Sequence, residues 1–455
     1  MWYNLPQKLC GDIINKSIQG DFYFMKTKRK IQIILLAGCM LVGISGCELK
    51  QAQKREETDF AQIENEKIEL NVNVWQDEKE TIQLLASKYM ERNTDIIIHV
   101  NAIPISQYSQ KIMGIKNKAD MVDCVFSPNT SEAFVWMKKG ILENIDQYVK
   151  DTEMVSGYDE WYNDGEEECV SYMLPYRTSR WAVYYNKKLF DQKEVPYPFD
   201  DWTWEDYAEI AQKLTGYSDR RKIYGSLSFA PDNIWWRVPA RTAGAENPLS
   251  QNDLDEFKIA AQWCYDLTYD LHAQIPYTEN AGDSGTNYEA EFLEGNTGMY
   301  FSGDWSAKTL NQEIQRQGLD FEYDIAELPH WDDKEAFQIS DAAVVSMVNG
   351  TKYPDETFDF MKFVAGEEGA EILAENSILP AWNTAEVRQK YKDSYTMPEH
   401  IEKFFSDKKI TRTPASAKYV EAMETVKEQM ALCFKQNQTV DQTFFNIEKE
   451  LKSME

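Results

Sequence analysis

The sequence predicts an α/β fold arranged as about two domains. Three observations carry that prediction. A length of 455 residues exceeds what one ordinary core organises. Apolar residues make up 43% and aromatics 13%, enough to fill large cores. Strand-like and helix-like periodicities also alternate along the chain.

"IELNVNVW" (68–75) alternates apolar and polar residues and predicts a strand. Ile82, Leu85, Ala86, Tyr89 and Met90 follow at helical spacing. "DIIIHVNAI" (95–103) predicts a second strand, a helix follows over 106–116, and "DMVDCVFS" (120–127) predicts a third strand. This alternation implies a parallel sheet, whose ligands sit beyond the carboxyl ends of its strands. Trp75, Gln76 and Asp77 then share a rim with Ser127, Pro128 and Asn129.

A second unit begins near residue 176. "WAVYYN" (181–186) predicts a strand. Thr203, with Asp206 three residues on, predicts a capping box opening a helix whose face holds Trp204, Tyr207, Ala208 and Ala211. "KIYGSLSF" (222–229), "TGMYFSG" (297–303) and "DAAVVSMV" (341–348) predict further strands. A helix built on Phe360, Phe363 and Val364 comes next, and two helical patterns end the chain, the second carrying Phe444, Ile447 and Leu451.

The N-terminus reads as a targeting segment. "KTKRK" (26–30) precedes "IQIILLAGCMLVGISG", an apolar run ending at residue 46 that is too short for an ordinary spanning helix. Its end, "ISGC" (44–47), resembles the lipobox of bacterial lipoproteins, which implies cleavage before Cys47 and acylation of that thiol; plain secretion or a membrane anchor is the alternative. Met25 is the natural start, so residues 1–24 read as an over-extended start and 1–46 stand outside the fold. Residues 47–64 supply the lipidated Cys and a polar, flexible tether.

The chain carries 48 Lys and Arg against 76 Asp and Glu, with no basic stripe. That excludes a nucleic-acid partner, whose phosphates need clustered cations. Once 1–46 is removed and Cys47 acylated, Cys124, Cys169, Cys264 and Cys433 remain, at spacings that match no zinc pattern. Free buried thiols are favoured over one or two disulfides. The sequence contains no GxGxxG, no GxxxxGK[ST], no HExxH and no EF-hand loop. No cofactor, metal or catalytic set is therefore expected, and His99, His272, His330 and His400 read as structural or surface residues. Acidic pairs are too numerous for spacing to exclude a glycosidase dyad.

Several separated segments, in order, resemble one family. They are the lipobox at Cys47, "LPYRTSRWAVYYNKKLFDQ" (174–192), "DDWTWEDYAEIAQKLT" (200–215), "FLEGNTGMYFSGDWS" (292–306) and "ILPAWNTA" (378–385). Together they are similar to the extracellular family 1 solute-binding lipoproteins of ATP-driven (ABC) importers, the maltodextrin-binding-like group. The resemblance covers 65–455. It implies a two-lobed periplasmic-binding-protein-like (type II) fold with a hinge and an interlobe ligand cleft. One lobe would hold 65–174 plus 338–378 and the other 177–335 plus 383–455, with hinge points near Pro175, 335–338 and Pro380. It also implies a carbohydrate ligand, a partner permease and a lipid-anchored place on the extracellular face of the cell membrane; a monomer is expected, and the low Cys count and the lipobox fit a Gram-positive surface rather than a periplasm.

The cleft candidates follow from chemistry and from these positions. Sugars present apolar C–H faces to aromatics and hydroxyl rims to carboxylates and amides. Trp305 is expected to project from the turn at Gly303 as a stacking platform, with Trp75 at the end of the first strand and Trp382 on the last crossing segment. Trp235 and Trp236 are adjacent, so in extended chain one of them is expected in the cleft; Arg237 is expected to pair with an acidic neighbour. Gln76, Ser127, Tyr176, Asp304 and Asp341 complete the set. For each, core packing or solvated charge is the competing explanation. Two other functions compete with the sugar receptor: the same fold serving a polyamine, peptide or polyol phosphate, and a surface glycoside hydrolase.

Overall fold

The computed structural model describes residues 67–115, 122–149, 172–218, 220–230, 232–280 and 288–453. The leader, Cys47, the tether and Cys169 lie outside the described residues.

Strand β1 (Ile68–Trp75) leads into helix α1 (Lys79–Arg92), β2 (Ile96–Ile103), α2 (Ile105–Met113), β3 (Cys124–Ser127) and α3 (Thr130–Lys138). β2, β1 and β3 pair in parallel, as the alternation of the sequence requires. Leu70, Val72 and Val74 are fully buried, and α1 covers them with Ile82, Leu85 and Ala86.

Next comes β4 (Leu174–Asn186), thirteen residues long and much longer than the predicted 181–186. The extra residues pair antiparallel with β9 (Phe337–Met347), Leu174 facing Val345 and Ser179 facing Asp341, with a register shift between Pro175 and Arg177. A proline before an apolar run reads as a break in sequence; here a bulge absorbs it.

Between these two strands lie α4 (Lys187–Lys193), α5 (Trp204–Leu214), β5 (Gly216–Ser218), β6 (Arg221–Leu227), α6 (Leu254–Tyr269), β7 (Thr297–Gly303), α7 (Trp305–Gln317) and β8 (Tyr323–Glu327). The capping box at α5 forms: Thr203 accepts from the Asp206 amide, and Asp206 accepts from the Thr203 amide. After β9 come α8 (Pro354–Ala365), α9 (Glu367–Glu375), α10 (Ala385–Asp393), β10 (Lys409–Thr411), α11 (Ala417–Phe434) and α12 (Val440–Ser453). The strand order is β2-β1-β3-β9-β4-β7-β6-β5, with β8 also on β4 and β10 also on β9.

Three cores show why β4 and β7 read as unbroken apolar runs. Along β4, Trp181, Val183 and Tyr185 enter one core and Ala182 and Tyr184 the opposite one; Phe301 and Tyr300 of β7 divide in the same way. The first of these cores lies under α5, α6, α11 and α12, the second under α7 and α10. The third core, around β1–β3, takes Leu174 and Tyr176 from β4 and Ala342 to Met347 from β9. Both long strands therefore serve two lobes. The segment Leu379–Ala381 runs beside them: Thr178 donates to the Leu379 carbonyl at 3.1 Å and Ala381 to the Tyr176 carbonyl at 3.1 Å. Cys124, Cys264 and Cys433 are free and buried, and burial raises the pKa of each. Among the described residues no helix is long and apolar enough to cross a membrane.

Candidate ligand-binding cleft

Among the described residues three cavities lie in a row between the lobes, with the crossing segments beneath them. The inner one, about 340 Å³, is walled by Asn129 and Glu132 on one side and by Arg237, Arg241 and Tyr419 on the other, over Thr178, Ser179 and Asp341. The central one, about 640 Å³, lies between Trp75, Glu78 and Thr81 and the α7 residues Trp305, Lys308 and Gln312. The outer one, about 520 Å³, continues between Glu80 and Leu84 of α1 and Gln312 and Gln315 of α7.

Trp305 and Arg177 border both the inner and the central cavity. The Trp305 indole is held edge-on to Trp181 at 5.5 Å and tilted against Phe229 at 6.0 Å. Gly303 permits this placement for a reason different from the expected turn. Its backbone is not left-handed; a Cβ there would lie 1.9 Å from Cζ3 of Trp305. The glycine is needed for close approach, and the indole lies flat on the end of β7.

Asp304 is buried beside it. Its Oδ1 accepts from the Arg180 amide at 3.0 Å, and its own amide donates to the Arg180 carbonyl at 2.8 Å. Burial pushes its pKa up to about 6 against the opposing pull of Arg177. Arg177 also lies 3.4 Å from Glu78, which is buried and whose Oε1 has no hydrogen-bond partner among the described residues. Lys308 projects between the lobes; burial lowers its pKa while Glu78 partly restores it.

Asp341 lines the inner cavity, but its carboxylate is occupied. Arg241 grips it with two nitrogens at 2.9 and 3.2 Å, and the Thr413 amide donates to Oδ1 at 2.8 Å. Burial would raise its pKa; Arg241 and Thr413 hold it below the usual value. It clamps β9 to the segment before α11 and leaves little acceptor capacity for a ligand. Among the described residues Arg237 pairs with no acid: it donates to the Asn233 carbonyl at 2.6 Å and to the Tyr419 hydroxyl.

Other expected residues lie elsewhere. Trp235 and Trp236 are both core residues, Trp235 stacked on Phe301 and tilted against Phe434, Trp236 edge-on to Phe257 and Phe444. The expectation that one faces the cleft assumed extended chain. Residues 235–237 form a 3₁₀ turn, which splays adjacent side chains enough for both to be buried. Ser127 is buried and donates to the Asn129 carbonyl at 2.7 Å. Tyr176 is buried edge-on to Phe126 at 5.1 Å, its pKa raised by burial and then by Glu78. Gln76 is exposed. Trp382 packs where two cores meet. None of these six borders the three cavities. Trp75, Asp304, Trp305 and Asp341 do.

The residues not anticipated are Glu78, Trp181, Phe229, Lys308 and Gln312. Trp181 is hidden in an apolar run, whereas Lys308 and Gln312 follow Trp305 at helical spacing, a signal present in the sequence. Away from the cleft, Asp324, Glu399 and His400 bring ligand atoms within 4.8 Å. Asp324 is already filled there, accepting from the Ile325 and His400 amides and from His400 Nδ1 at 2.6 Å.

A family model for bacterial extracellular solute-binding proteins matches residues 75–371, more than half of the chain. The chain belongs to this family. Solved structures agree on the two-lobed fold. A sugar transporter from Rhizobium etli in an open conformation is 24% identical, with a TM-score of 0.72, over 85% of this chain and 100% of its own. An ABC substrate-binding protein from Listeria monocytogenes in complex with cycloalternan is 21% identical, TM-score 0.72, over 85% and 99%. The GacH receptor of Streptomyces glaucescens, studied with acarbose, is 18% identical, TM-score 0.68, over 85% and 98%. For a solute-binding protein of this architecture, the cleft crossed by β4, β9 and Leu379–Ala381 is where the two lobes face each other.

Proposed function

We propose that this solute-binding protein captures a carbohydrate between its lobes and delivers it to the membrane permease of an ABC importer, without chemical turnover. The observation that carries the reading is Trp305: an indole pinned by Gly303, bordering two cavities, with carboxylate, guanidinium and amide groups around it. That is the pairing of apolar face and polar rim that a pyranose needs. The sugars named for the Listeria and Streptomyces proteins support the same class.

Further parts of the reading rest on sequence. The leader 1–46 exports the chain, Cys47 is acylated, and 47–64 tethers a monomeric receptor to the outer face of the membrane of a Gram-positive cell. The lobes comprise 65–174 with 338–378, and 177–335 with 383–455, hinged at the crossings. Supporting this, the β1–β3 core draws on 70–176 and 342–378. One observation favours a second reading, a polyamine: among the described residues Asp77, Glu78, Glu80, Glu289 and Asp304 line the central cavity against two cations, Arg177 and Lys308.

Thermal unfolding of residues 58–455 against sugars, polyamines and peptides tests the proposal. Ligand at about a hundred times its Kd adds roughly 2.7 kcal/mol. A shift with one sugar class and no product formed supports the receptor; a shift with polyamines alone overturns the ligand class.

A further inference from the structure

Three cavities in a row exceed what one sugar ring can fill. We infer that the outer cavity is a separate subsite for the far units of a linear, uncharged oligosaccharide, held by amide hydrogen bonds without stacking. The inference rests on the carbohydrate reading above.

The cavities form one groove. The inner and central ones share Arg177 and Trp305; the central and outer ones share Glu80, Thr81, Lys308, Gln312, Ser377 and Ile378. Along α7, Trp305, Lys308, Gln312 and Gln315 recur at spacings of three and four, so one helix face lines the groove from its stacking platform outward. From Trp305 to Gln315 that face runs about 15 Å at 1.5 Å per residue. A ligand that stacks on Trp305 and stays in contact with α7 must be several units long to reach the end.

The chemistry changes along the way. The inner and central cavities hold the indoles; among the described residues the outer one is lined by a single aromatic, Tyr395, which is committed to the fold, its hydroxyl donating to the Ser377 carbonyl at 2.9 Å and its ring packed edge-on to Tyr391 at 5.2 Å. Its Asn311 is committed to the fold, donating to the Met397 carbonyl at 2.6 Å and accepting from Tyr323 at 2.9 Å. Asn376 likewise donates to the Ile372 carbonyl at 2.8 Å. The side-chain amides of Gln312 and Gln315 make no hydrogen bond among the described residues, and both residues are exposed. Each amide presents two donors and an acceptor, which suits a hydroxyl that both gives and takes a hydrogen bond. Charge is nearly balanced: Glu80 and Lys308 are the ionised groups on the wall. An anionic or polycationic chain would find no surplus of opposite charge here, whereas a neutral one needs none.

The test is calorimetric binding of gluco-, manno- and xylo-oligosaccharides of one to six units to the full chain, purified in a detergent without a sugar headgroup. Affinity should rise with length beyond two units in the series that binds. Gln315→Ala, an exposed helical position where alanine is tolerated, should cut the pentasaccharide-to-disaccharide affinity ratio about threefold or more. Trp305→Ala should weaken both lengths and leave that ratio in place. If affinity stops growing at the disaccharide, or Gln315→Ala leaves the ratio unchanged, the outer subsite is overturned while the receptor stands. Failure of every series to bind a chain that still melts cooperatively overturns the carbohydrate reading itself.

Discussion

Replacing Gly303 by alanine adds one methyl group where Trp305 lies. The added carbon would sit 1.9 Å from Cζ3 and 2.3 Å from Cε3 and Cη2 of that indole, and the three nearest atoms all belong to it. Carbon atoms pack at about 3.5–4.0 Å, so the ring must retreat by about 1.6 Å or more. Retreat disturbs the edge-on contact with Trp181 and the tilted contact with Phe229. Overpacking of this kind costs about 1–3 kcal/mol, and the strand conformation at Gly303 adds no penalty of its own for alanine. The same displacement moves the stacking platform, so ligand affinity should fall about tenfold, equivalent to about 1.4 kcal/mol. Denaturant unfolding and calorimetry on the wild type, Gly303→Ala, Trp305→Ala and the double variant form a thermodynamic cycle. The clash exists only while the indole is present, so the glycine substitution should cost almost nothing in the Trp305→Ala background, a coupling of about 1 kcal/mol or more. Equal cost in both backgrounds would refute the argument that the glycine serves the tryptophan.

Asp304 has its folded pKa raised to about 6, above the unfolded value of about 4, so its ionisation opposes folding. The sign follows: this group favours the fold below pH 4, and its contribution is lost as pH rises through 6. Asp304→Asn, which keeps the Oδ1 that accepts from Arg180, should flatten that part of the stability profile by about 2–3 kcal/mol; a parallel profile would refute the burial assignment. Asp341→Ala strands a nearly buried Arg241 and should cost about 3 kcal/mol in chemical denaturation, and a loss under about 1 kcal/mol would mean the pair is not a clamp. Trp382→Ala should lower the melting temperature through lost core packing yet leave ligand affinity, corrected for unfolding, within about threefold, in contrast to Trp305→Ala. Thr203→Ala removes the capping hydroxyl of α5 and should cost about 1 kcal/mol, read as a shifted denaturation midpoint.

Local chemistry made much of this architecture legible. The span 297–303 was readable as a strand because both its faces are apolar, and Thr203 with Asp206 announced the start of α5 two ways at once. The parallel β1–β3 unit followed from alternation alone. Long-range geometry was harder to read. Nothing near Pro175 indicates that Leu174 pairs with Val345, a partner far along the chain. Trp235 and Trp236 misled because a single 3₁₀ turn, invisible in composition, decides whether neighbouring indoles share a face. Asp341 could be placed at the cleft from its position, but the Arg241 that occupies it comes from another element. Gln312 and Gln315 look like any solvated helix surface until α1 is seen across the groove.

β3 pairs with β9 through Cys124 and Met347, so the sheet begun at Ile68 lacks a strand until most of the chain has been made. Contacts of such sequence separation form late, because the loop must close before pairing rewards it. An emerging chain that has reached only β3 has no partner for that edge and nothing to complete the core above it. The wiring that joins the two lobes therefore also times their assembly: the sheet begun at Ile68 is tied together only after the C-terminal half of the chain has been made.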